Sequence, residues 1–302
     1  MLDNKPHILL IDGMAVLFRS FFATSAMGHF FPNADGVPTN GVQGFGRHAL
    51  TAASIFNPTH IAVCWDMSAH TFRNDLFDGY KANRPEPAPE LLPQFDMTRD
   101  LSELIGWKNY GIKGMEADDL IGSLVCEWEG KADITIVTGD KDLLQLLRPG
   151  VKIAFMKKGY NVYDIYDEQR FIEEYEIPPH RFVEIKAFTG DASDGYPGVK
   201  GIGPKTALKL IKEYETVEKV VESLHELAPG MRKKIEADLE MLHLSKKLAQ
   251  IHCELDFEDP IEALNLPDFS SSELREELEQ HGYSMILRQL NSLFPEQTKT
   301  TV

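Results

Sequence analysis

Cysteine is scarce in this chain. Its 302 residues include three cysteines, Cys64, Cys126 and Cys253, and no two of them have the CxxC spacing. An odd number without that spacing argues against a disulfide framework and against a structural zinc site. We expect all three thiols to be reduced and buried.

Long apolar runs are also missing. No stretch reaches 18 apolar residues, and the longest runs, such as His7 to Ile11 and His60 to Trp65, suit buried strands. The first residues, MLDNKPHILLIDG, lack the basic start and extended apolar stretch of a secretory signal. The sequence therefore argues against a membrane protein, and we expect a cytoplasmic monomer.

Positive charge is in deficit. The chain has 31 Lys and Arg against 47 Asp and Glu, which gives a formal net charge of −16. Such an excess of acid argues against a protein that coats nucleic acid over its whole surface. Local binding stays open, because the basic residues are unevenly spread and clustered carboxylates would be offset by bound metal.

Three short, continuously apolar runs are typical of buried strands in a parallel sheet: His7 to Ile11, Ile61 to Trp65 and Ile134 to Thr138. Each is followed, directly or after one residue, by an aspartate, namely Asp12, Asp66 or Asp140. Helical patterns lie between the runs, so we predict an α/β fold with a mostly parallel central sheet and helices on both faces. The carboxyl ends of its strands would bring the three aspartates into one crevice.

Further acidic residues follow the same logic. A helix predicted from Glu116 to Trp128 carries three of them in its first turn, where the helix dipole favours anions. We expect nine carboxylates to converge, and their repulsion then requires cations. Oxygen ligands favour Mg²⁺ or Mn²⁺ over zinc. The nine are Asp12, Asp66, Glu116, Asp118, Asp119, Asp140, Asp142, Asp191 and Asp194.

The rest of the chain divides into two kinds of sequence. From about 67 to 100, basic and aromatic residues precede four prolines, which predicts a functional loop or arch that projects from the sheet. After about residue 180 the pattern is mostly helical. We therefore predict an α/β domain over 1–180 and a helical domain over 181–302.

Five motifs in one order carry a family resemblance: LLIDG at 9–13, TFRNDLFDGYKANRP at 71–85, GMEADDLIG at 114–122, TGDKDLLQL at 138–146 and TGDASDGYPGVKGIGPKTA at 189–207. As a set they resemble the bacterial 5′-nuclease, or flap endonuclease, family, which has a PIN-like fold and includes the 5′-nuclease domain of DNA polymerase I. The likeness covers about residues 7–215. No polymerase-like sequence follows, so we expect a stand-alone nuclease.

The resemblance implies roles for these residues. One metal ion would be held by Asp12, Asp66, Glu116 and Asp118, and a second by Asp140, Asp142 and Asp191, with Asp119 and Asp194 nearby. Such a pair activates a water molecule and stabilises in-line displacement at a phosphodiester. A helical arch would supply the catalytic side chains that contact phosphate or stack on a base: Tyr80, Lys81 and Arg84, with Arg19 as a further basic residue and Arg73 as a DNA contact.

The glycine-rich turn resembles a helix–three-turn–helix motif that grips duplex DNA through its backbone, where related enzymes often use K⁺. Amides and lysines beside a helix start suit phosphates. The alternative is a purely structural turn that joins two helices and needs only its glycines. The implied DNA contacts are Gly198, Lys200, Gly201, Gly203, Lys205, Thr206 and Lys209.

One departure from the family pattern stands out. Many relatives have Asn after the last aspartate, where this chain has Gly195, so we expect an altered local hydrogen bond and duplex grip. The leading hypothesis is a 5′-nuclease acting on 5′ flaps and on nicked or branched DNA, including RNA-primed ends, in replication and repair. A PIN-like ribonuclease and a branched-DNA-binding scaffold without turnover are the alternatives.

Overall fold

The computed structural model describes residues 5–296, and a six-stranded sheet lies at its centre. The spatial order is β3-β2-β1-β4-β5-β6, with every neighbouring pair parallel except β5 and β6, which are antiparallel. The predicted mostly parallel α/β sheet is therefore confirmed. The strands are β1 (His7–Asp12), β2 (His60–Trp65), β3 (Lys108–Gly111), β4 (Asp133–Thr138), β5 (Val151–Met156) and β6 (Tyr163–Tyr166).

Helices cover both faces of this sheet because alternate strand residues are apolar on both sides. Ile8 and Leu10 pack in one layer, and Leu9 and Ile11 pack in the other. Short 3₁₀ turns occur at Asp142–Leu146, Pro179–Arg181, Leu224–Glu226 and Ile261–Leu264. The α-helices before residue 180 are α1 (Gly13–Ser25), α2 (Asn40–Phe56), α3 (Phe72–Leu76), α4 (Leu92–Ile105), α5 (Ala117–Glu127) and α6 (Glu168–Tyr175).

The remainder is helical, as predicted. Its last helix packs on α2, where the Gln43 Oε1 atom accepts a hydrogen bond from the Met285 backbone N–H at 3.0 Å and Ile286 contacts Gly46. The helix before it packs on the last helix and on α4. The helices of this remainder are α7 (Phe182–Thr189), α8 (Pro204–Tyr214), α9 (Val217–Glu222), α10 (Pro229–Ala237), α11 (Leu239–Ala249), α12 (Ser272–Gln280) and α13 (Ser284–Leu293).

The segment 67–100 does not stand away from the sheet as a whole. Its second half is packed, because Gln94 is fully buried and its Oε1 atom accepts from the amides of Gly41 and Val42 at the start of α2. Its first half, from α3 to Arg84, lies against the carboxyl edge of the sheet.

The fold also shows the state of the cysteines and the character of the helices. The thiols of the three cysteines are free; Cys64 is buried, but Cys126 and Cys253 are only half-buried. Among residues 5–296, none of the helices combines the length and the apolar character needed to cross a bilayer.

Candidate active site

A cavity of about 340 Å³ opens at the carboxyl edge of the sheet, where β1, β2 and β4 end. Carboxylates line it from the strand ends and from the start of α5, as the sequence predicted. Three basic residues, Lys81, Arg84 and Lys141, also line it. The carboxylates are Asp12, Asp66, Glu116, Asp118 and Asp140.

Helix starts hold several of these carboxylates. Asp12 is the N-cap of α1: one oxygen accepts from the Ala15 amide at 2.9 Å, and the other accepts from the Thr138 hydroxyl at 2.7 Å. Asp66 accepts from the Ala117 amide at 2.6 Å, at the first residue of α5. Oriented N–H groups stabilise these negative charges and fix their direction.

The pKa values of these carboxyl groups show how unfavourable their charged forms are in this place. Burial, with neighbouring carboxylates adding, raises the pKa of Asp12 and of Asp142 to about 7 and raises the pKa of Asp118 and of Asp140 above the ordinary range. A site of this kind holds protons or cations at neutral pH, because its charges cannot all persist together in a poorly solvated place.

Beside the cavity lies a second acidic group that sequence reasoning did not connect with a lysine. Lys186, on α7, places its Nζ atom 2.7 Å from Asp142 and forms an ion pair with Asp191. Burial acts to raise the pKa of Asp191, but the Lys186 ammonium and the Ser193 hydroxyl outweigh it and lower that pKa to about 2. Nothing in the sequence distinguished Lys186, since a lysine five residues before an aspartate has no special spacing.

Asp140 joins the two acidic groups. It interacts electrostatically with Asp12 and Asp118 on one side and with Asp191 and Asp194 on the other. Ammonium groups lie among these carboxylates, as in the 2.8 Å contact between Lys81 Nζ and Glu116 Oε1. Across residues 5–296, accordingly, no three His, Cys, Asp or Glu side chains are already arranged around one point as metal ligands.

Two predicted roles need correction. Arg73 is 2% exposed and forms a bidentate pair with Asp119, with nitrogen–oxygen distances of 2.7 and 2.9 Å. It also donates to the backbone carbonyls of Leu248 and Gln250. Arg73 is therefore buried in the protein and not presented to DNA, and the fully buried Asp119 neutralises it instead of facing the cavity.

Tyr80 is also placed differently from the prediction. It is buried, its ring stacks on Tyr196 with centroids 6.4 Å apart, and its hydroxyl donates to Glu116 at 3.1 Å or Asp194 at 3.2 Å. A base cannot stack on a covered ring, so Tyr80 orients carboxylates here. Arg84, half-exposed, pairs with Asp194 at 2.7 Å, and Arg19 lies on α1 outside the residues that line the cavity.

The glycine-rich turn between α7 and α8 exposes only part of its backbone: Gly201 and Gly203 are exposed, but Gly198 is buried, so the predicted DNA contact at Gly198 does not lie at the surface. Gly198 and Gly201 have φ of +62° and +79°, and a Cβ at Gly198 would lie 2.3 Å from the Gly190 nitrogen. Gly203 precedes α8; within the described part of the chain, nothing lies within 4 Å of its Cβ position and no side chain caps that helix. Three lysines with no ion-pair partner among residues 5–296 surround the turn and are exposed: Lys200, Lys205 and Lys209.

Two family models of known proteins match this chain, one over each half. The family model for the 5'-3' exonuclease N-terminal resolvase-like domain matches residues 7–176, and the one for the 5'-3' exonuclease C-terminal SAM fold matches residues 177–291. The 5'-3' exonuclease of Bacillus subtilis (strain 168) is 52% identical over 250 residues, which are 83% of this chain and 84% of that relative.

DNA polymerase I of Lactococcus lactis subsp. cremoris (strain MG1363) is 33% identical over 96% of this chain, which spans only 33% of the polymerase. The fold also matches the flap endonuclease of bacteriophage T5, solved as a pseudo-enzyme–product complex with DNA and metal ions, with a TM-score of 0.65 and 19% identity over 95% of this chain and 97% of that one. The two matching family models and the identity to the exonuclease lead to one conclusion: the chain belongs to the 5'-3' exonuclease family.

Proposed function

We propose that this protein is a structure-specific 5′-nuclease that hydrolyses phosphodiester bonds at 5′ flaps and at nicked or branched duplex DNA, including RNA-primed ends. One observation carries the proposal: carboxylates from three strand ends and one helix start share a cavity with Lys81 and Arg84. The proposal includes a monomer in the cytoplasm that serves replication and repair, with a nuclease domain over 1–180 and a DNA-binding domain over 181–302.

The donor set of the cavity fits hard divalent cations. Its ligating atoms are carboxylate oxygens, which Mg²⁺ and Mn²⁺ prefer. Burial first, and neighbouring carboxylates second, raise the pKa values of Asp12 and Asp118, so a bound cation would stabilise their poorly solvated charges. Bound there, two such ions would supply an activated water and neutralise the charge of the transition state. The residues that would hold them are Asp12, Asp66, Glu116, Asp118, Asp140, Asp142, Asp191 and Asp194.

Two lysines, Lys81 and Lys186, place positive charge beside the carboxylates. Lys81 is held among carboxylates, and Glu116 and Asp194 raise its pKa despite a burial effect that lowers it, so it stays protonated. An ammonium at the cavity can bind a non-bridging phosphate oxygen, and the Arg84 guanidinium can bind the adjacent phosphate in a fork. Lys186 would keep Asp142 and Asp191 together until cations replace it.

Duplex DNA would be bound at the turn before α8. Its exposed lysines and open glycine surface suit phosphates, which are bound without reading bases. In this proposal Gly201, Gly203 and Thr206 offer backbone contacts, and the buried Gly198 only shapes the turn. A K⁺ ion at the turn remains part of the proposal, although the Gly201 carbonyl already accepts from the Lys234 ammonium at 3.0 Å.

The test uses a 5′-labelled flap DNA with Mg²⁺, with and without chelator, and two matched variants at opposite ends of β4, with Asp140 two residues beyond the strand. Asp140→Asn, at the carboxyl end, should abolish cleavage and leave the affinity for DNA within about threefold. Asp133→Asn, at the exposed amino end of the same strand, should cleave normally. Absence of Mg²⁺-dependent release by the folded wild type would defeat the proposal.

The two alternatives give different results in the same assay. A PIN-like ribonuclease would cut single-stranded RNA in preference to the flap. A scaffold without turnover would bind the branched DNA tightly and release nothing from it, in the wild type as in Asp140→Asn.

A further inference from the structure

Gly195 occupies the point where the segment that carries Lys81 meets the loop that carries Asp194. Its φ is +79°, and a Cβ built there would lie 2.7 Å from the Gly79 carbonyl oxygen, 3.3 Å from the Asn83 Oδ1 atom and 3.6 Å from the Lys81 nitrogen. The first of these neighbours is backbone, so a side chain at residue 195 cannot be accommodated by a rotamer change.

Several hydrogen bonds depend on this close approach. The Lys81 N–H donates to the Asp194 carbonyl at 2.7 Å, and the Asn83 side chain donates to the Ala192 carbonyl at 2.8 Å. The Arg84 guanidinium donates to the Ser193 carbonyl and to the Asp194 carboxylate. We call residues 79–84 the lysine turn and residues 192–196 the acidic loop; the two are joined along their lengths.

The lysine turn is strained at its functional residue. Lys81 has a φ of +55°, in the left-handed region that non-glycine residues adopt only when surrounding contacts enforce it. The enforcing contact is the hydrogen bond from its own N–H to the acidic loop. With the backbone held so, the side chain reaches Glu116 across the cavity.

We propose that Gly195 is a positioning residue for cleavage: its missing side chain lets the lysine turn dock on the acidic loop and sets Lys81 in place before DNA arrives. The inference rests on the proposed nuclease function for its kinetic consequence. It does not rest on that function for the docking itself, which is a property of the free protein.

The size of the effect follows from the geometry. A methyl group at residue 195 must move about 0.7 Å from the Gly79 carbonyl to reach the ordinary contact distance of 3.4 Å. Misplacements on the order of 1 Å in a catalytic group cost about 100-fold in rate. We therefore expect Gly195→Ala to slow the cleavage step by about 10- to 100-fold, with DNA affinity nearly unchanged because the turn before α8 is untouched.

The matched control is Gly130→Ala. Gly130 has a φ of +72°, but no atom of residues 5–296 lies within 4 Å of its Cβ position, so this variant carries the same backbone strain without the clash. Asn83→Ala is the second probe, since it weakens the docking from the other side without adding a side chain at 195.

The first measurement is hydrogen exchange of the Lys81 amide in the free protein, with neither metal nor DNA. It should quicken at least tenfold in Gly195→Ala, quicken less in Asn83→Ala and stay unchanged in Gly130→Ala. The second is single-turnover cleavage of flap DNA beside its Kd, where only the rate should fall in the first two variants.

Equal Lys81 exchange and equal cleavage rates in Gly195→Ala and Gly130→Ala would overturn the inference. Should Gly195→Ala fail to fold, Asn83→Ala decides it, because unchanged exchange and rate there also refute the docking role. A wild type that never cleaves DNA would instead defeat the proposed function, while the exchange comparison would still decide whether Gly195 docks the lysine turn.

Discussion

Replacing Arg73 with methionine should destabilise the whole protein and leave DNA binding alone. The guanidinium links three parts of the chain: its own helix α3, Asp119 on α5, and the carbonyls of Leu248 and Gln250 at the end of α11. Methionine fills much of the volume but removes the charge and every donor. Asp119 would then be a fully buried carboxylate without its partner.

The expected cost follows from that burial. Removing one partner of a buried ion pair costs about 3–5 kcal/mol, because the remaining charge stays desolvated. The two carbonyls also lose their donors, at about 1 kcal/mol each for a typical hydrogen bond. Since Asp119 keeps bonds from the Glu116 and His252 amides, we expect the free energy of unfolding to fall by about 4 kcal/mol.

Urea titration followed by circular dichroism measures this difference. The matched control is Arg232→Met, because Arg232 is about half-exposed and lies 3.6 Å from Glu236; such a surface pair contributes less than about 1 kcal/mol. Adding Asp119→Asn to Arg73→Met should recover part of the loss by removing the unpaired charge.

The reasoning is refuted if Arg73→Met costs under about 1 kcal/mol, which is the surface-pair range. It is refuted equally if the variant keeps its stability but binds flap DNA many times more weakly, since Arg73 would then be the DNA contact that its sequence position first indicated.

Three other outcomes are expected. Lys81→Ala should lower the single-turnover rate by about 10²-fold or more with little change in Kd, the loss typical of a removed charge-stabilising donor; an unchanged rate contradicts its phosphate role. Lys186→Met should make the melting temperature rise more on addition of Mg²⁺ than it does in the wild type, because Asp142 and Asp191 lose their ammonium partner. An equal rise argues against the idea that bound cations take the place of the Lys186 ammonium. Burial lowers the pKa of His48 from 6.5 to about 4, so between those values the unfolded state binds the extra proton and acid destabilises the fold. From pH 7 to pH 5 the free energy of unfolding therefore falls by about 2 kcal/mol. His48→Phe should remove this fall, and urea titrations at both pH values measure it.

Local sequence was sufficient for the centre of the fold. The runs that became β1, β2 and β4 are apolar throughout, since both faces of those strands are covered, and the aspartates after them lie at one edge of the sheet as expected. The strand β6 was not predicted: its four residues, YDIY, lie at the sheet edge and are only partly buried. Edge strands lack the continuous apolar pattern that identifies central ones.

The site was less accessible to sequence reasoning because charge alone does not reveal burial. Arg73 and Arg84 occupy the same basic and aromatic segment, yet one is enclosed by Asp119 and the end of α11 while the other is half-exposed. Lys186 was missed for the same reason: its partners Asp142 and Asp191 are contacts made by folding, and only one of them is near it in sequence.

Helix α13, near the end of the chain, packs on α2, near its beginning, and this contact limits how the molecule can be divided. Leu290 and Ile286 of α13 are fully buried against the layer that contains Val42 and Phe45 of α2. Cutting near residue 180 to isolate a catalytic half would strip that apolar face and leave it open to water, so the shortened product should aggregate. Co-expressing residues 270–296 as a separate peptide would offer such a fragment the cover it lacks.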